Sequence, residues 1–152
     1  MRVLEEYGAD PFLATENNTT PLMAAEGVGV GPGTEPGTNE EVLETFNFVL
    51  ERGGSIYTVN TSTGETALHG GAARGANAIV QLLVKRGACL DATNDDAWTP
   101  LALVEGVPQQ VFRMQPETAA LLRQLMESRT TTTSDRPRCG ALGPVGDGRR
   151  AE

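Results

Sequence analysis

The chain has 152 residues, 12 Lys+Arg against 20 Asp+Glu, a single His, two Cys and only 5% aromatics. That length admits one domain, or one domain with a tail. A formal charge of −8 argues against a binder of phosphate backbones, which needs clustered Lys and Arg, and no apolar run reaches the ~18 residues of a membrane span.

In chain order, Met1 to Tyr7 reads as the closing turn of a helix whose beginning and partner lie upstream. Val3 and Leu4 would face an upstream unit, so the chain is expected to be a piece of a longer array. Thr19-Thr20-Pro21-Leu22-Met23-Ala24-Ala25 opens a short helix. A Thr there satisfies orphan backbone N–H groups, and a Pro in the first turn loses no hydrogen bond. Val28 to Glu40 is a Gly- and Pro-rich loop. An acidic start at Glu40-Glu41 then leads an apolar helix toward Arg52-Gly53-Gly54-Ser55.

The same sequence of signals returns. Glu65-Thr66-Ala67-Leu68-His69-Gly70-Gly71 opens a second helix pair, and Ile79, Val80, Leu82 and Leu83 give its second helix an apolar face. Gly75 and Gly87 are expected to end the two helices in left-handed caps that need no Cβ. Trp98-Thr99-Pro100-Leu101-Ala102-Leu103 opens a third pair, 33 residues after the second counted from Thr66 to Thr99. Pro116 to Met126 is its final helix. Ser128 to Glu152 is Thr-, Gly-, Pro- and Arg-rich, which predicts a disordered tail over 128–152. The tail carries five Arg and three acids, so the −8 of the whole resolves into +2 there and −10 over residues 1–127.

These segments resemble the ankyrin repeat, whose T-P-L-H-x-A signature is met by Thr66-Ala67-Leu68-His69 and the Ala72-Ala73-Arg74-Gly75 that follows. The resemblance implies an all-α solenoid of stacked helix–turn–helix units with β-turn fingers. Its domain would cover residues 1–127, with a partial unit over 1–14 and units over 15–58, 59–92 and 93–127. Departures are Ala67 in place of Pro, Gly70-Gly71 inside the first helix, and Cys89 where an acid is usual. Unit one is about 12 residues longer than unit two, and unit three about six longer. Both excesses, within 28–40 and 106–116, fall between the two helices of a repeat.

Chemistry finds little support. One histidine makes neither a His-based triad nor a multi-His metal site, and the resemblance gives His69 a structural role between helix start and neighbouring turn. Gly27 to Gly33 lacks the Lys-Ser/Thr of a phosphate loop and follows a helix instead of a strand. No catalytic residue, metal ligand or cofactor is expected. Cys89 and Cys139 have no metal-ligand spacing and read as free thiols, which fits a reducing, cytoplasmic compartment.

The expected function is therefore a non-catalytic protein–protein interaction module. The alternative is a regulatory or targeting segment of a larger multidomain protein or enzyme. By motif position, Glu16, Asn17 and Thr19, then Ser62, Thr63 and Glu65, then Asp95, Asp96 and Trp98 line the turn tips, and Arg74 extends that surface. The ridge is acidic and polar with one large aromatic, and it suits a basic or amphipathic segment of another protein better than nucleic acid or membrane. A monomer is expected unless the N-terminal helix pairs with a copy of itself.

Overall fold

The computed structural model describes residues 5–28, 37–106 and 114–130. Six helices are bounded among them: α1 (Pro21–Ala25), α2 (Asn39–Glu51), α3 (Ala67–Ala73), α4 (Asn77–Lys85), α5 (Pro100–Gly106) and α6 (Pro116–Thr130). Residues 5 and 6 are helical as well, where the sequence predicts a closing turn.

The starts follow from hydroxyl side chains. Thr20 Oγ1 accepts the Met23 N–H at 3.3 Å, and Thr99 Oγ1 accepts the Ala102 N–H at 3.2 Å. At α2 the Glu41 N–H donates to Thr38 Oγ1 while the Thr38 N–H donates to the Glu41 carboxylate at 2.7 Å. Two orphan donors are thus satisfied reciprocally.

The ends also share one chemistry. Beyond α3, Gly75 takes φ +74° and the Ala76 N–H returns to the Gly71 carbonyl at 3.0 Å. Beyond α4, Gly87 takes φ +95° and the Ala88 N–H returns to Leu83 at 2.9 Å. Gly27 and Gly53 repeat this geometry after α1 and α2. Each is a left-handed stop that a Cβ would strain.

Helices pair within units, α1 with α2, α3 with α4 and α5 with α6, and the first helices stack on one another in a row, α1 on α3 on α5. The second helices α4 and α6 also meet. Leu22, Phe46, Leu68, Val80, Leu83 and Leu103 are fully buried along this seam. Ile79, Val80 and Leu83 are the buried face of α4, and Leu82, expected with them, is half-buried beside it. Neighbouring units are tied by polar bonds too. The Thr118 hydroxyl donates to Asn77 Oδ1 at 2.6 Å, the Tyr57 hydroxyl to the Arg86 carbonyl at 3.3 Å, and Arg52 forks onto Glu5 with both contacts at 2.7 Å.

Gly70 explains one departure from the repeat signature. A Cβ there would lie 2.6 Å from Val28 Cγ2 and 2.9 Å from the Glu26 carbonyl oxygen, so glycine allows α3 to lie against the end of α1. The long connections sit where expected, between α1 and α2 and between α5 and α6. Their central residues, 29–36 and 107–113, fall outside the described set.

Two expectations change. The last helix continues to Thr130, past the expected tail boundary at 128, because Ser128 Oγ donates to the Leu125 carbonyl and Arg129 Nη1 reaches the Ala88 carbonyl at 3.3 Å. The rest of the expected tail, 131–152, lies outside the described residues. Cys89 is not a free thiol but is disulfide-bonded, which removes the thiol argument for a reducing compartment. The chain's second cysteine, Cys139, is also outside the described residues.

Candidate functional site

Ahead of each first helix stands a finger closed by the same backbone bond. The Thr15 N–H donates to Thr19, Asn60 to Glu65 and Asn94 to Trp98, at 3.1, 2.9 and 3.0 Å. Two residues before each capping Thr, the backbone turns left-handed, at Asn18 (φ +57°), Gly64 (+69°) and Ala97 (+62°). Side chains staple these turns from within. Asn60, fully buried, accepts the N–H groups of Ser62 and Thr63 on its Oδ1 at 2.8 and 3.0 Å. Asn94 Oδ1 takes those of Asp96 and Trp98 at 3.1 and 2.9 Å.

Fingers are then bonded to one another. The Thr61 N–H donates to the Asn17 carbonyl at 2.8 Å, and the Asp95 N–H to the Thr63 carbonyl at 3.0 Å. The Asn60 amide adds a bond to Thr19 Oγ1 at 2.7 Å, and the Asn18 amide one to the Val59 carbonyl at 2.9 Å. His69 joins the second and third units. Its Nδ1 accepts the Thr66 N–H at 3.1 Å, and its Nε2 lies 3.1 Å from the Trp98 carbonyl, which only an Nε2–H can serve. The imidazole is therefore a buried structural tie between helix start and neighbouring finger, as the resemblance implies.

The structure divides the residues selected from sequence. Glu16, Asn17, Ser62, Asp95 and Asp96 are exposed at the tips, and Thr63 and Trp98 are half-buried beside them. Thr19 and Glu65 do not face outward: each is 6% exposed. Arg74 is engaged elsewhere. Its Nε donates to Asn39 Oδ1 at 3.2 Å, its Nη1 to the Ala25 carbonyl at 3.5 Å, and its Nη2 to the Gly37 carbonyl. It fastens the start of α2 to the end of α1 and does not extend the ridge.

Sequence reasoning missed Asn60 and Asn94 as the staples of the fingers. Their signal was present, since an Asn whose side chain bonds backbone two residues on is a turn device. Finger residues 15–19, 60–65 and 94–98 contain acids and no Lys or Arg, so the exposed tips carry one sign of charge. Among the described residues no group of three His, Cys, Asp or Glu is placed to hold a metal ion, and no helix is long and apolar enough to cross a membrane.

A solenoid of helix pairs with hydrogen-bonded fingers is a repeat-protein architecture. The ankyrin repeat family model matches residues 63–95, which contain the tip of the second finger, α3, α4 and the approach to the third finger. Residues 63–95 are thus an ankyrin repeat, and the described residues have the all-α fold of that family. Ankyrin repeats mediate protein–protein interaction and are not themselves catalytic. No curated protein gives a significant match to the chain.

Proposed function

We propose that the chain is a non-catalytic interaction module, with units over 15–58, 59–92 and 93–127, whose finger ridge takes a basic or amphipathic segment of another protein. One observation carries this reading. Backbone bonds tie the first finger to the second and the second to the third, and these fingers bear Glu16, Asp95 and Asp96 exposed and Trp98 half-buried. Prearranged charge of one sign favours encounter with the opposite sign. A half-buried Trp supplies the apolar anchor that charge alone lacks.

The test is titration of the isotopically labelled chain with a Lys-rich amphipathic peptide, following backbone amides and the indole N–H. Shifts should concentrate at Glu16, Ser62, Asp95, Asp96 and Trp98 and weaken with salt. Trp98→Ala should lower affinity by roughly tenfold or more, the scale of an interface anchor. Unchanged affinity in that variant, or shifts scattered over α4 and α6, would overturn the reading.

A further inference from the structure

Glu26, at the end of α1, is 2% exposed, and neither of its carboxyl oxygens has a hydrogen-bond partner. It is the one such buried side chain among the described residues. Gly70 creates the space for it: a Cβ at that position would stand 2.9 Å from the Glu26 carbonyl oxygen and 3.1 Å from its Cβ. Arg74 follows Gly70 by four residues and so comes from the same side of the chain's turn. Its guanidinium is spent on the Ala25 carbonyl, the Gly37 carbonyl and Asn39 Oδ1, not on the carboxyl.

An ionised carboxylate without a partner is not tolerated in such a place, whereas a neutral acid is. Burial pushes the Glu26 carboxyl well above its ordinary value, and Arg74 pulls it down by less. Other charged groups around it are occupied or turned away. From α2, Glu40, Glu41 and Glu44 are exposed, and Glu41 is bonded to Thr38. From α3, His69 is bonded to Thr66 and to the Trp98 carbonyl. Arg74 is the charge that acts on Glu26.

We propose that Glu26 and Arg74 form a proton-set latch where α1 meets α3. With Glu26 neutral, Arg74 holds Gly37 and Asn39 and thereby anchors the start of α2. When Glu26 loses its proton, the buried carboxylate takes Arg74 for itself, and the bonds to Gly37 and Asn39 are given up. Because the folded state holds this proton more tightly than the unfolded chain, its contribution to stability is complete below the ordinary glutamate value of 4.5. It is lost progressively as pH rises through the raised folded value.

The experiment is a pH titration of the intact chain by NMR, reading the Glu26 side-chain carboxyl carbon together with the amides of Gly37, Thr38 and Asn39. A midpoint well above 4.5 at Glu26, shared by the three amides, is expected. The shared midpoint should vanish from the amides in Glu26→Gln and also in Arg74→Lys, which keeps the charge but loses the fork. An ordinary glutamate titration, amides that stay still while Glu26 titrates, or a midpoint that persists in Glu26→Gln would each overturn the latch. The wild-type titration decides the matter even where a variant fails to fold.

Discussion

Single positions in the fingers show how much one backbone angle matters. Three left-handed sites are equivalent, yet Asn18, Gly64 and Ala97 are not equally suited to them. Glycine adopts the conformation freely and Asn tolerates it through local hydrogen bonding, while Ala has neither advantage. Ala97→Gly should therefore stabilise the chain by about 1 kcal/mol, the left-handed penalty less glycine's greater unfolded entropy. A denaturant midpoint that fails to rise would count against strain at this site. The cap residues Thr20, Thr66 and Thr99 and the stops Gly75 and Gly87 were legible in the sequence because their causes are local. Whether Thr19, Glu65 or Glu26 faces outward was not legible. Each is polar, and each is buried by residues that the fold brings from elsewhere.

At the scale of elements, the two glycines of α3 separate packing from propensity. A Cβ at Gly70 would meet Val28 at 2.6 Å and the Glu26 backbone at 2.9 Å, whereas one at Gly71 would meet only side chains at 3.7–3.8 Å. Gly70→Ala should destabilise by about 1–3 kcal/mol, as overpacked sites do. Gly71→Ala should be neutral or stabilising by up to about 1 kcal/mol, since Ala is the better helix former. Thermal melts of the two variants side by side should move in different directions, and a shared response would mean that helix propensity alone governs both. Helix existence was readable from apolar spacing in α4, and from a Pro start with an acidic first turn in α6. The contacts of Arg74 were not legible because its three acceptors stand at the end of α1, in the connection and at the start of α2, brought together by a path that no local pattern reports.

For the whole molecule, stability is a sum over units and the ties between them. His69 is a buried tie between the second and third, beside the Asp95–Thr63 and Thr118–Asn77 bonds, since it bonds the start of α3 and the carbonyl of Trp98 at once. His69→Ala should cost about 3 kcal/mol, from lost hydrogen bonds and a buried void. Amide exchange should show the loss unevenly, with protection falling more in α5 and α6 than in α1 and α2. Uniform loss would mean that the chain unfolds as one cooperative block without a weak joint at His69.

The finger-to-finger bonds run from the Thr61 N–H to Asn17 and from the Asp95 N–H to Thr63, at 2.8 and 3.0 Å. None of them passes through the connections between α1 and α2 or between α5 and α6. Lengthening or rewriting those connections would thus leave the spacing of the ridge intact. The ridge is therefore free to hold its geometry while the connections change in length and composition.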